Sequence, residues 1–156
     1  MNLEIERKFL VKNTTFIGDA FKKSHIKQGF LNSNKLRVVR IRIIDEKGYI
    51  TVKGNSNKSG ISRLEWEKEI PIKEARSLML LAENDPIEKT RYYINSDMHI
   101  FEIDVFQKEN NGLILAEIEL QAEDEFFKRP NWLGKEVTGD VRYYNASLSK
   151  VPFLKW

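Results

Sequence analysis

The chain predicts an α+β fold that is mostly β: an eight-stranded antiparallel closed barrel with helices packed outside. Three observations carry that prediction. The dominant hydrophobic period is two, as in a strand with unlike faces. Short breakers of hairpin type separate many of the periodic runs: NSN at 32–34, EKG at 46–48, NSD at 95–97 and ENNG at 109–112. The runs number eight, and about eight strands suffice to close a small barrel.

Taken in order, the first strand spans 3–11, LEIERKFLV. Leu3, Ile5, Phe9 and Val11 share one parity there, and Glu4, Glu6 and Lys8 the other. Residues 14–23 read as a short helix. Strands at 26–32, 36–45 and 49–54 follow, joined by the NSN and EKG turns. GNSNKSG, 54–60, is a longer polar loop, expected to be mobile. A strand at 63–72 leads into a helix at 73–82, KEARSLMLLA, with Leu78 and Leu81 on a buried stripe. Strands at 87–95, 99–107 and 113–121 complete the set. The tail is mixed from residue 130, and Asp140 is placed to cap a helix through VRYYNASLSK. No repeat, low-complexity tract or linker divides the chain, so residues 1–156 are expected to form a single domain.

Composition narrows the function classes. Hydrophobic residues make up 41% and charged residues 31%, which is soluble and globular on the charged side. No Cys is present, which excludes disulfides, thiol nucleophiles and Cys-ligated zinc and suits a reducing cytoplasm. No apolar run approaches the roughly 20 residues of a membrane span, and the charged first strand is unlike a signal peptide. A net charge of +3, from 26 bases and 23 acids, argues against a duplex nucleic-acid binder, whose bases cluster in excess.

The polar parity of the strands is more informative. Arg40 and Arg42 alternate with Val39, Ile41 and Ile43, and Lys53 stands opposite Ile50 and Val52. Arg63, Glu65, Glu67 and Glu69 share a face against Leu64, Trp66 and Ile70. Lys89 pairs with Arg91, Glu102 with Asp104, and Glu117 with Glu119. One such strand would merely have a wet side. Seven of them, almost without neutral polar residues, are not an ordinary solvated surface. Like charges at i and i+2 sit roughly 7 Å apart on a strand face. The acid pairs therefore repel unless a cation lies between them, and a hard divalent ion would satisfy them. The paired arginines suit bidentate contact with phosphate. A barrel closed with this face inward would have the physical signature of a metal–polyphosphate site, because a ligand must offset the desolvation of so many charges.

EIERKFL resembles the ExExK signature of the CYTH superfamily, the triphosphate tunnel metalloenzymes, with Glu4, Glu6 and Lys8 in its three positions. The likeness continues in order through RIR, TVKG, RLEWE, EKTR, FEIDVF and LAEIEL to LGKEVTGDVRYYNASL. It implies an eight-stranded antiparallel tunnel and hydrolysis or cyclisation of triphosphates with Mg²⁺ or Mn²⁺. By position, Lys8, Arg40, Arg42, Lys53, Lys89 and Arg91 look like phosphate-binding bases. Arg63 matches a basic position of less definite role. Glu4, Glu6, Glu102, Asp104, Glu117 and Glu119 look like metal-side acids, and Glu65 and Glu67 match an acidic pair after the polar loop. GDVRYYN resembles a C-terminal stretch that closes one tunnel end in several members. The compact length is similar to the short bacterial tripolyphosphatase branch, which implies a small-molecule triphosphate partner and no nucleic acid or membrane. The oligomeric state is left open, with a homodimer as one option.

Class IV adenylate cyclases, thiamine triphosphatases and RNA triphosphatases stand as alternatives on the same scaffold. A non-catalytic polyphosphate or nucleotide sensor is a further one, although the full set of acids favours an enzyme. An RNA-binding barrel would interleave exposed aromatics with its bases, whereas the aromatics here fall mostly on the apolar parity. Trp66 lies on that parity and is expected to pack rather than stack on substrate. His25 and His99 are expected at the surface, since hard-metal sites favour oxygen donors. Lys22, Lys23 and Lys27 read as a solvated face.

Overall fold

The structure is a computed structural model that describes residues 2–156. Nine strands follow one another as β1 (Asn2–Val11), β2 (Lys22–Asn32), β3 (Arg37–Ile44), β4 (Lys47–Gly54), β5 (Ser62–Ile70), β6 (Ile87–Ser96), β7 (His99–Phe106), β8 (Ile114–Glu119) and β9 (Leu133–Glu136). Two α-helices accompany them, α1 (Ile72–Met79) and α2 (Asn145–Lys150). The first eight strands pair in the order β5-β4-β3-β2-β6-β7-β8-β1, and β1 pairs back onto β5 to close the barrel. All these pairings are antiparallel. β5 occupies β1 only as far as the Ile5–Ser62 pair. Beyond it, β9 takes up the free edge of β1 at Phe9 and Val11. β9 has no counterpart in the sequence reading, since its four residues LGKE carry no alternating pattern.

The alternating strands turn their apolar parity outward, which builds two of the three apolar clusters. Phe9, Phe101, Ile103 and Ile118 are roofed by Phe16, Phe127 and Trp132 from the connecting segments. α1 lays Ala75 and Met79 on Ile41, with Ile43 and Ile50 beside it. It can approach so closely because β4 has Gly48 beneath it. A Cβ there would stand 2.4 Å from the Ala75 methyl. The third cluster lies on the inward parity. Leu10, Phe30, Val38, Ile87, Phe106 and Leu115 follow or precede the charged inward residues by two positions and meet Tyr143, Leu148 and Phe153. One end of the tunnel is thus plugged by apolar side chains, and the C-terminal residues 141–153 pack onto that plug.

Several local expectations change. The segment after β1 forms only a 3₁₀ turn, Thr15–Asp19, rather than a helix over 14–23. The chain then enters β2 four residues before 26, where Lys22 and Lys23 pair with Tyr93 and Tyr92. α1 buries Ala75 and Met79, while Leu78 is half-buried and Leu81 is exposed, because the helix ends at Met79 before Leu81 can join its stripe. Asp140 does cap, accepting from the Arg142 N–H at 3.1 Å, but it caps a 3₁₀ turn, Val141–Tyr143. Extended backbone at Tyr144 separates that turn from α2. Trp66 faces outward and stays 40% exposed, since no helix covers that part of β5. His99 is only partly exposed, paired with Glu125 and edge-on to Phe127.

Candidate active site

Strand pairing sets the inward charges side by side. Lys8 lies opposite Glu117, and Glu6 opposite Glu119. Glu4 faces Arg63, and Lys53 faces Glu65. Together they line a cavity of about 710 Å³ inside the barrel. Glu4, Glu6, Lys8, Arg40, Arg42, Lys53, Arg63, Glu65, Glu67, Lys89, Arg91, Glu102, Glu117 and Glu119 all contribute to its wall.

Asp104 is the exception among the residues singled out from the sequence. It is 1% exposed and does not line the cavity. Arg91 grips it with two bonds, Nε to Oδ1 at 2.7 Å and Nη2 to Oδ2 at 2.9 Å. Lys89 Nζ adds a third contact to Oδ2 at 2.7 Å. Burial works to raise the Asp104 carboxyl, yet Arg91 and Lys89 hold it below the usual carboxylate range. Its oxygens are spoken for, and it anchors two bases rather than adding to the acids that face the cavity.

Elsewhere the charges are crowded and incompletely paired. Glu6 has its carboxyl pushed up to about 8, first by burial and then by Glu117 and Glu4. Burial also acts to raise Glu117, but Lys8, Arg91 and Lys89, with a hydrogen bond from Glu6, keep it well below the usual range. The two neighbouring carboxyls are thus shifted in opposite directions, Glu6 up and Glu117 down. Glu4 is raised by burial and by Glu65, although Lys53 Nζ donates to both its oxygens at 2.9 and 3.0 Å. Glu119 is raised by burial and by Glu4 and Glu102.

The bases show the mirror pattern. Arg40 is lowered to about 9 by burial and then by Arg42. Its Nη2 donates to Thr51 Oγ1 at 3.2 Å and lies 3.5 Å from Glu67, but its buried Nε has no partner. Arg42 is lowered by burial and by Arg91. Lys89 falls to about 7, chiefly through burial, with Asp104 opposing the shift. An unpartnered guanidinium N–H beside cations that repel one another is what an anion would relieve.

Sequence patterning missed Asn145 in the wall and Thr51 and Gln28 behind it, which bond Arg40 and Arg42. All three are neutral, so a search for charges passes over them. The Thr51 hydroxyl donates to Glu67 Oε2 at 2.7 Å. The polar loop is held down by Glu123, which accepts from Asn57, Ser59 and Ser62. Gly60 then meets Gly139 across the cavity wall. A Cβ at Gly60 would stand 2.6 Å from the Gly139 Cα, and both glycines have positive φ. Two three-residue signals could have located this contact, KSG and TGD, since a Ser-Gly step and a glycine before a capping aspartate both mark turns where left-handed backbone is common.

Among the described residues no three acidic or His side chains converge into a ready-made cation cage. No helix among them is long and apolar enough to cross a membrane.

Comparison with known proteins gives a consistent picture. A family model described as CYTH domain matches residues 2–152. An inorganic triphosphatase of Acetivibrio thermocellus is 46% identical over 158 aligned positions, covering 98% of this chain and 97% of the relative. Another inorganic triphosphatase, from Nitrosomonas europaea, is 36% identical over 150 positions, covering 94% and 96%. Among solved structures, one of an inorganic triphosphatase superposes with a TM-score of 0.66 at 33% identity, over 94% of this chain and 97% of that one. A Hippeastrum protein, once assigned as an adenylyl cyclase and described with a dominant triphosphatase activity, shares the fold at a TM-score of 0.59 and 14% identity, over 78% and 80%.

Proposed function

The chain belongs to the CYTH domain family, and from that premise we propose that it hydrolyses inorganic triphosphate inside the barrel. The observation that carries the reading is the convergence of six bases on one cavity, where the buried Arg40 Nε has no partner and Arg40 and Arg42 are each lowered by burial and by a neighbouring arginine. Lys8, Arg40, Arg42, Lys53, Lys89 and Arg91 bind the phosphate oxygens, and Arg63 supports them from the rim of the loop. Phosphoryl transfer needs little covalent help from a protein, so positioning and charge neutralisation supply most of the rate. Water attacks a terminal phosphorus, the bridging P–O bond breaks, and orthophosphate and pyrophosphate leave.

A divalent cation fits the acidic side of the cavity. Its donors are carboxylate oxygens, as Mg²⁺ and Mn²⁺ prefer, and their crowding already forces Glu6 to keep a proton to about 8. Glu4, Glu6, Glu117 and Glu119 would hold it, with Glu65, Glu67 and Glu102 within the same wall. Mg²⁺ commonly takes one or two carboxylates and completes its shell with water and substrate phosphates, which suits acids that form no closed cage by themselves. When bound, the cation would neutralise phosphate charge and lower the pKa of a water.

A substrate panel tests the reading: tripolyphosphate, ATP, thiamine triphosphate and pyrophosphate, each with Mg²⁺ and with Mn²⁺. Tripolyphosphate should be turned over fastest, and chelator should abolish the reaction. Cyclic AMP and pyrophosphate formed from ATP, with tripolyphosphate untouched, would overturn it in favour of a cyclase.

A further inference from the structure

Two of the phosphate-facing bases are tied to one another by neutral amides. Arg42 Nε donates to Gln28 Oε1 at 3.1 Å. Gln28 Nε2 donates to Asn145 Oδ1 at 2.6 Å. The same Asn145 oxygen accepts from Lys89 Nζ at 2.9 Å. Gln28 is fully buried, and Lys89 is 1% exposed. The chain of bonds therefore runs from β3 through β2 to the first residue of α2 and back to β6.

The polarity of this relay is forced. An arginine guanidinium can only donate, so Gln28 must show it the oxygen. That turns the Gln28 amide nitrogen toward Asn145, which must answer with its own oxygen. The ammonium of Lys89 is also a pure donor and meets that same oxygen. Every member has one acceptable orientation, and none can rotate without leaving a buried donor unpaired. An apolar pair of similar shape would fill the same space. It would leave Arg42 without its amide acceptor and Lys89 held by Asp104 alone.

We propose that Gln28 and Asn145 are positioning residues that hold Arg42 and Lys89 at one fixed separation, so that both bases meet the same triphosphate. The inference rests on the reading of the cavity as a triphosphate site. It gives the C-terminal segment a part in the reaction beyond plugging the barrel, because Asn145 brings the start of α2 into the relay. Misplacing a group by about 1 Å can cost about 10²-fold in rate, and the relay sets such distances for two groups together.

The experiment compares Asn145→Leu, Asn145→Asp and Gln28→Met with wild type, using tripolyphosphate and Mg²⁺. Leucine keeps the volume and removes the acceptor, so kcat should fall about tenfold or more. Aspartate keeps an oxygen for both donors and adds a charge that repels the substrate. It should keep kcat within about threefold and show its effect as a raised KM. Gln28→Met should reproduce the leucine result from the other end of the relay. Leucine and methionine variants with wild-type kcat would overturn the proposal. So would an aspartate variant that loses as much kcat as the leucine one, or variants whose loss follows their unfolding in thermal melts. A wild-type protein without tripolyphosphate hydrolysis would instead remove the underlying reading of the cavity, so the two failures are separable.

Discussion

Arg91 and Arg40 both come from strands of one barrel and both point inward, yet their surroundings are opposite. Arg91 closes on Asp104 with two short bonds and reaches Glu102 at 3.0 Å, and these acids raise it well above the usual arginine range despite burial. Arg40 lies within hydrogen-bond reach of one threonine, keeps an orphan Nε, and is pulled down to about 9. The first arrangement is fully paired by the protein itself, although it too lines the cavity. The second is not so paired. Identical residue types on identical parity thus divide into a saturated wall at β6 and β7, and a frustrated one spanning β3, β4, β1 and β8. The saturated wall fixes the frame, and the frustrated wall leaves room for a charged guest.

Asp104→Asn is the sharpest way to break that contrast. It keeps the shape and leaves Arg91 and Lys89 buried without their shared counter-charge. Removing one partner of a buried ion pair costs about 3–5 kcal/mol. At about 2–4 °C per kcal/mol for a chain of this size, the melting temperature should fall by roughly 6–20 °C. A drop confined to a degree or two would mean that the cluster is not the frame.

Arg40→Ala should give the reverse profile. Turnover of tripolyphosphate should fall about 10²–10³-fold, as when a clamp on a transferring group is removed. The ligand-free protein should lose far less stability than Asp104→Asn does, because Arg40 is already disfavoured by burial and by Arg42. Parallel kinetics and melts of the two variants decide it. Near-normal turnover in Arg40→Ala would place the phosphates elsewhere.

How much of this was legible beforehand follows from what each signal measures. Period-two alternation fixes parity, so the shared face of Glu4, Glu6 and Lys8, and of Arg40 and Arg42, could be read directly, while its inward direction followed from the family resemblance. Parity does not say which inward charges touch. Asp104 and Glu102 look alike in FEIDVF, but the register sets Arg91 opposite Asp104 and leaves Glu102 beside Tyr93, nearer the open cavity. Register comes from long-range pairing, which a single strand does not encode. The apolar plug escaped notice for a related reason. Leu10, Phe30 and Phe106 sit on the charged parity, where alternation predicts polar residues. Gln28 and Asn145 were invisible because a neutral amide in a strand or a tail carries no pattern. β9 was too short to alternate.

The smallest effect is the most diagnostic of the frustrated wall. Glu6 keeps its proton to about 8 in the folded protein, against about 4.3 for an ordinary glutamate in an unfolded chain. Below the lower value both states are protonated, and Glu6 contributes no pH dependence. Between the two values the unfolded chain releases the proton while the folded one retains it. The folded state then binds more protons, so stability falls as pH rises, by at most about 1.4 kcal/mol per pH unit for one group. Glu6→Gln removes that titration. Its melting temperature relative to wild type should therefore climb from pH 5 to pH 7 in metal-free buffer. Lys89 does not confuse the comparison: it titrates near 7 and upward in both proteins, and it adds stability as pH rises there. Saturating Mg²⁺ should narrow the difference, since a cation bound by wild type supplies the counter-charge that its crowded carboxylates lack. A melting difference flat across pH 5 to 7 would show that Glu6 is not strained by its neighbours, and the frustrated wall would lose its acidic half.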